Sequence, residues 1–161
     1  MTRQRFLEKV NSPIQMWFFM WLKLPAARFM GVSVVKCDEN QCTTSLPYRW
    51  RSQNPFKSTY FAAQCAAAEM STGLLAMAHL QEKPRISMLV THIEAEFLKK
   101  ASDTLHFTCT DGRKFEEVIA QVLSTGEAQV FTAESIGRLP DGTIASKMKI
   151  TWSFKRSQKA S

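Results

Sequence analysis

Asn54-Pro55-Phe56-Lys57-Ser58-Thr59-Tyr60-Phe61-Ala62-Ala63-Gln64-Cys65-Ala66-Ala67-Ala68-Glu69-Met70-Ser71-Thr72-Gly73-Leu74-Leu75-Ala76-Met77-Ala78-His79-Leu80 is a long helical segment with strand-like sequence on both sides. Between Tyr60 and Ala78 only Gln64, Glu69, Ser71 and Thr72 interrupt the apolar surface, so the helix is expected to be buried on most of its circumference. The alanines let a strand backbone come close and leave room beside the helix for a guest molecule. Glu69 is the anomaly, because a carboxylate in such surroundings costs on the order of several kcal/mol unless it is paired, hydrogen-bonded or protonated. Ser58 reads as the N-cap, and Glu82-Lys83-Pro84-Arg85 ends the helix.

Towards the amino terminus, Gly31 to Cys37 and Gln41 to Trp50 read as a hairpin around the polar turn Asp38-Glu39-Asn40. The second strand places Cys42, Thr44, Leu46, Tyr48 and Trp50 on one dry face. Before it, a first helix spans about Gln4 to Val10. Ser12-Pro13-Ile14-Gln15 then reads as a capping box that starts a second helix, Pro13 to Lys23, which stops before Pro25. The run Met16-Trp17-Phe18-Phe19-Met20-Trp21-Leu22 is too apolar for a solvated helix. It must cover the sheet, a partner subunit, an acyl chain or lipid headgroups.

After the long helix, Ile86 to Lys99 is a long strand whose Leu89, Ile93, Ala95 and Phe97 face is expected to meet the core. Thr104 to Thr110 is a further strand. Phe115, Val118, Ile119 and Val122 recur at helical spacing with Gly126 as the stop. The last two strands, Ala128 to Ile136 and Ile144 to Phe154, are joined by the turn Arg138-Leu139-Pro140-Asp141-Gly142-Thr143, with Met148, Ile150, Trp152 and Phe154 pointing one way. The pattern as a whole is α+β.

A chain of 161 residues that is 45% hydrophobic is the size of one domain, 1–161, with a helical segment over 1–30 and a basic tail over 155–161. Its net charge of +7 favours contact with something anionic: nucleic acid, an acidic membrane surface or a phosphorylated ligand. Against nucleic acid, the aromatics sit at core spacing and are not interleaved with basic residues on one face. Cys37, Cys42, Cys65 and Cys109 lack metal-binding spacing and read as structural thiols, and His79, His92 and His106 belong to no catalytic or metal-ligand pattern. No metal and no bound cofactor is expected, and there is neither a phosphate-binding loop nor a dinucleotide fingerprint. The amino-terminal stretch fails as a secretory signal because Glu8 lies in the would-be basic region and Lys23 and Pro25 stop the apolar run, so a reducing, cytoplasmic setting is expected. That run is also shorter than the ~20 apolar residues that span a bilayer.

Asn54-Pro55-Phe56, Tyr60-Phe61-Ala62-Ala63, Ala68-Glu69 and Gly73, on a central helix between strands, resemble the DUF4442 group of the hotdog-fold thioesterase superfamily. The likeness covers nearly the whole chain. It implies an antiparallel sheet wrapped around the long central helix, with amino-terminal helices beside it. It also implies a homodimer, or two such dimers paired, joined sheet edge to sheet edge, with the helix acid of one subunit facing the loop of the other.

The activity implied is hydrolysis of an acyl thioester such as an acyl-CoA, with coenzyme A as part of the substrate and no separate cofactor. Glu69 is then the base, its pKa raised by burial, and the alternative for it is a carboxylate satisfied by Thr72, Ser71 or a cross-subunit donor. Asn54 resembles the Asn that orients substrate or carboxylate, or is a turn residue before Pro55. The helix start offers backbone N–H groups from Ser58, Thr59, Tyr60 and Phe61 for an oxyanion, and Cys65, Thr72 and Gly73 complete the expected substrate-binding set. Many hotdog thioesterases carry His-Gly-Gly at this turn, where this chain has Tyr60-Phe61-Ala62. A non-catalytic acyl-CoA or fatty-acyl binding protein on the same fold therefore stays open, as does a peripheral membrane protein using Trp17, Phe18, Trp21 and Lys23.

Overall fold

Six strands pair antiparallel throughout into one sheet, in the order β1-β2-β4-β5-β6-β3, in a computed structural model that describes residues 1–157. The strands are β1 (Ser33–Cys37), β2 (Cys42–Leu46), β3 (Ile86–Phe97), β4 (Leu105–Cys109), β5 (Gln129–Arg138) and β6 (Ile144–Arg156). The helices are α1 (Arg3–Asn11), α2 (Pro13–Lys23), α3 (Pro25–Met30), α4 (Phe61–Leu80) and α5 (Gly112–Thr125), with a single 3-10 turn at Trp50–Ser52. This is the expected hotdog arrangement: α4 lies along the inner face of the sheet and touches β1, β2, β4, β5 and β6.

The burial of α4 follows from its side chains. Ala63, Ala67, Ala68, Ala76 and Ala78 are fully enclosed, so the helix backbone approaches the strands closely, and the Thr44 hydroxyl of β2 donates to the Ala67 carbonyl at 2.7 Å. On the same side the Ser71 hydroxyl donates to the Ala68 carbonyl at 2.7 Å and lies 2.8 Å from the Ser135 hydroxyl of β5. From β6, Met148, Ile150, Trp152 and Phe154 all point inward as the alternation implies, and α5 seals the core with Phe115, Ile119 and Val122.

Several local features differ from the sequence expectation. Pro25 does not merely stop α2; it starts α3 at a position where its missing N–H is harmless, and Gly31, at φ +91°, closes that helix by donating to the Ala27 and Arg28 carbonyls. β2 ends at Leu46 because Pro47 has no N–H to continue the ladder, so Tyr48 and Trp50 leave the dry face and Trp50 ends up exposed. α4 begins at Phe61 with Tyr60 as its N-cap, not at Ser58, whose hydroxyl donates instead to Asn54 Oδ1 at 3.1 Å.

Another difference is a β-bulge in β3: Val90 pairs with Trp152 and His92 with Thr151, which leaves Thr91 without an opposite residue. Met88 and Val90 share the inward side with Phe154 and Trp152, and past the bulge Ile93 and Ala95 share it with Ile150 and Met148. Leu89, expected inside with Ile93, Ala95 and Phe97, is therefore outside and exposed. β3 is also an edge strand, hydrogen-bonded to β6 alone.

At the far end, β6 runs through Arg156, so Lys155 and Arg156, expected in the tail, pair with Ser87 and Ile86. Gln158 and Lys159 of that tail lie outside the described residues.

Candidate active site

Cys65, Glu69 and Gly73 follow at intervals of four residues on α4 and so stack along one stripe, facing β6. The stripe is marked by its contacts: Cys65 Sγ lies 3.9 Å from Met148 Sδ, and a side-chain carbon at Gly73 would stand 3.2 Å from the Trp152 ring and 3.4 Å from Glu69 Oε1. Gly73 is thus a notch that admits the Trp152 indole, whose Nε1–H donates to Thr72 Oγ1 at 3.1 Å. Thr72 in turn donates to the Glu69 backbone carbonyl at 3.0 Å.

The Glu69 carboxylate itself accepts no hydrogen bond and forms no ion pair among the described residues. The two partners within the chain that could have satisfied it are engaged elsewhere, Thr72 on a backbone carbonyl and Ser71 on Ala68 and Ser135. Burial raises its pKa above the usual carboxylate value with no opposing cation or donor. It lies in the wall of an apolar cavity of about 250 Å³, together with Phe19, Lys23 and Leu24 beside the α2–α3 junction, Met88 from β3, Trp152, and Met70, Leu74 and Met77 of its own helix. A second apolar cavity of about 320 Å³ shares Phe19, Leu74 and Met77 with the first and continues under α1 and α2 to Val10, Gln15 and Gln81. The inner side of α2, expected to cover the sheet, a partner subunit, an acyl chain or lipid headgroups, packs on the core: Met16 and Met20 are buried, and Phe19 stands between the two cavities.

The other expected site residues gather at the start of α4. Asn54 Oδ1 accepts from Phe56 N at 3.0 Å, Ser58 N at 3.2 Å and Ser58 Oγ at 3.1 Å, so this side chain shapes the turn into the helix. Thr59 is buried and bound through both N and Oγ1 to the Ala101 carbonyl. Tyr60 N donates to Ser52 O, and its own carbonyl accepts from Ala63 and Gln64. The Phe61 and Ala62 N–H groups are left without an acceptor among the described residues, as at any helix start. Asn54, Ser58, Thr59 and Phe61 line a more open hollow of about 420 Å³ with Gln64, Phe97, Lys99 and Lys100. Gln64 Nε2 donates to the Thr59 carbonyl, while its buried Oε1 has no partner.

Within one chain the expected residues therefore form two groups, Cys65, Glu69, Thr72 and Gly73 in one and Asn54 to Phe61 in the other. Eight residues at the rise of an α-helix put Phe61 and Glu69 about 12 Å apart along the axis. Sequence reasoning missed the wall residues Phe19, Leu24, Met88 and Trp152. Trp152 carried a usable signal, as an inward-facing aromatic whose N–H requires a buried acceptor.

Cys37, Cys42 and Cys109 are buried free thiols, with Cys109 pushed up to about 12 by burial and the neighbouring Asp111 carboxylate. His79 is buried, and since a carbonyl can only accept, its Nε2–H donates to Glu39 O at 2.8 Å; burial lowers its pKa. Among the described residues no group of three potential metal ligands is assembled, and no helix is long and apolar enough to cross a membrane.

Residues 14–154 match the family model described as Domain of unknown function (DUF4442). In a comparison with curated proteins, nothing matches the chain. Among solved structures, a Pseudomonas aeruginosa protein of unknown function, described as a probable thioesterase, is similar at a TM-score of 0.75 and 12% identity, over 91% of this chain and 97% of that one. A thioesterase from Haemophilus influenzae is similar at 0.68 and 15% identity, over 93% and 95% of the two chains. A protein of unknown function from Chlorobaculum tepidum gives 0.74 and 15%, over 91% and 98%. Identities this low establish the shared fold and nothing finer.

Proposed function

Since the chain belongs to the DUF4442 family and has the hotdog fold, we propose that it hydrolyses an acyl thioester, with an acyl-CoA as substrate and Glu69 as general base. The observation that carries this reading is an unpartnered carboxylate, its pKa raised by burial, in the wall of an apolar cavity. A base is most useful when its pKa approaches the working pH, and desolvation moves Glu69 in that direction. Glu69 takes a proton from a water whose oxygen bonds to the thioester carbonyl carbon, and the carbonyl electron pair moves to oxygen. The tetrahedral intermediate then collapses, the carbon–sulfur bond breaks, and the departing thiolate takes the proton back from Glu69. The products are a carboxylic acid and a thiol.

The oxyanion needs donors near the carbonyl carbon, and the axial offset of about 12 Å rules out the helix start of the same chain. In this reading the free N–H groups of Phe61 and Ala62 donate to the oxyanion formed beside Glu69 of a second subunit, and the working unit is a homodimer joined through the open β3 edge. Exposed Ile93 and Phe97 on that strand, with Phe61 at the helix start, supply the apolar surface such pairing would cover. The acyl chain follows the first of two adjoining cavities towards Phe19, Leu74 and Met77, the side chains it shares with the second, away from Glu69 and towards α1 and α2.

A second reading, acyl-CoA or fatty-acyl binding without turnover, is favoured by one feature. Tyr60 and Phe61, packed edge to face at 4.9 Å, crowd the helix start, where small residues would admit a carbonyl freely. Release of free CoA from acyl-CoAs of graded chain length separates the two. Turnover that increases with aliphatic length is expected; measurable binding with no CoA released at any length would leave only the binding reading.

A further inference from the structure

The outer side of α2 is as apolar as its inner side. Ile14, Phe18 and Leu22, one helical ridge, are 72%, 58% and 78% exposed, and Trp17 and Trp21 flank it. Neighbouring elements add aromatic and cationic groups. Arg28 of α3 lies 5.8 Å from the Trp17 ring centroid and 6.0 Å from that of Trp21, Phe29 meets Trp50 edge to face at 6.5 Å, and Arg51 stands 5.8 Å from the Phe29 ring.

The stretch of chain that carries this surface is mostly cationic. From Lys9 to Ala68 the chain holds Lys9, Lys23, Arg28, Lys36, Arg49, Arg51 and Lys57 against only Asp38 and Glu39, so five of the seven excess positive charges belong to this stretch. Both carboxylates sit on the β1–β2 turn, where Asp38 pairs with Lys36 and Glu39 with Arg3. Lys23, Arg28, Arg49 and Arg51 form no ion pair with a carboxylate among the described residues, and the buried Arg28 Nε has no hydrogen-bond partner.

We infer that this aromatic and cationic surface, formed by α2, α3 and the Trp50–Ser52 turn, seats the protein on an anionic lipid surface. Aromatic rings and leucine enter the headgroup boundary while unpaired arginines meet lipid phosphates; an exposed aromatic helix side flanked by cations of neighbouring elements suits this boundary. The inner side of the same helix lines the Glu69 cavity through Phe19 and Lys23, so docking would bring the mouth of that cavity to the bilayer, where long acyl groups reside. The inference does not depend on hydrolysis, because docking is measured without turnover.

The test is co-sedimentation of the full-length protein with vesicles of phosphatidylglycerol and phosphatidylcholine, against vesicles of phosphatidylcholine alone, at low and high salt. Binding to the anionic vesicles that weakens with salt, with a blue shift of tryptophan emission, is expected. Arg49→Gln and Arg51→Gln should each lower the partition coefficient about fivefold. The double variant Phe18→Asp, Leu22→Asp should abolish binding while leaving CoA release from soluble acyl-CoA unchanged. Absence of binding, or binding that is equal on both vesicles and indifferent to salt, overturns the proposal. It is equally overturned if the double variant splits a larger assembly in light scattering, since the surface would then be a subunit interface.

Discussion

The two sides of α4 obey opposite rules. Towards β2, β4 and β5 the helix is built largely of alanine, serine and leucine, and its central polar groups are partnered, Ser71 by Ser135 and Ala68, and the Ala67 carbonyl by Thr44. Towards β6 and α2 it presents Cys65, Glu69 and Gly73, leaves cavities beside them, and keeps a carboxylate without a donor. A buried polar group normally costs stability unless it is satisfied. The closed side therefore holds the fold together, and the open side carries a cost that makes sense where a substrate, a water or a second subunit completes it. Substitutions on the closed side should move stability and spare turnover, and those on the open side should do the reverse.

The largest effect is expected from Glu69→Gln, which keeps the shape and removes the proposed base: kcat for CoA release should fall about 10²- to 10⁴-fold. A variant as active as the wild type would remove the distinction between the sides. Next is Ser71→Ala on the closed side, which leaves the Ser135 hydroxyl without its acceptor. Urea denaturation should show a loss of about 1–3 kcal/mol, recovered in part by Ser135→Ala in the same chain, with kcat unchanged. Gly73→Ala should then act on both sides at once. The new methyl group presses on Trp152 at 3.2 Å, and the ring gives way into the cavity beside Glu69. Helix propensity offsets the crowding, so stability should change by less than about 1 kcal/mol while KM for long acyl chains rises.

The smallest effect is thermodynamic. The Glu69 carboxyl binds its proton more tightly in the folded chain than in the unfolded one, so the folded state loses stability as pH rises from the ordinary carboxylate value through the raised one. Glu69→Gln should accordingly melt higher than the wild type at neutral pH, and the difference should vanish in acid, where both states of the wild type are protonated. Equal melting temperatures across the pH range would mean that the carboxylate is satisfied after all.

What the sequence disclosed follows from the range of each signal. Ser12-Pro13, Gly126 and Asp141-Gly142 are local devices, and the structure uses them where they stand: Ser12 Oγ accepts from Gln15 N, and Gly126 and Gly142 take the left-handed backbone. Glu69 was legible because a charge in an alanine-rich helix contrasts with its own neighbours. The wall around it was not, since Phe19, Met88 and Trp152 come from α2, β3 and β6 and meet only through tertiary packing. Pro25 was ambiguous in kind, because the same ring that ends one helix can begin another. Ser58 was misread as a cap because Asn54, four residues earlier, competes for its hydroxyl. Thr91 left no trace, because a bulge is a property of two strands and the alternation within one strand shows only that the phase is mixed.

That mixed phase has a consequence for how the chain tolerates change. Thr91 acts as a phase shifter: it divides β3 into two half-strands of opposite parity, so that Met88 and Val90 in one half and Ile93 and Ala95 in the other share the inward side. Deleting it would complete the ladder with β6 and leave both halves in register, since Val90 and His92 already oppose the consecutive residues Trp152 and Thr151; drawing it into the ladder opposite Trp152 would instead rotate one half of the strand by a full side-chain alternation. With the Ile93 half held in place, Leu89 would swing inward, while Met88 and Val90 would swing out, taking Met88 from the wall of the Glu69 cavity. A residue with no place among the candidate site groups thus sets which side chains that cavity contains, and single-residue deletions along β3 should be far less interchangeable than substitutions at the same positions.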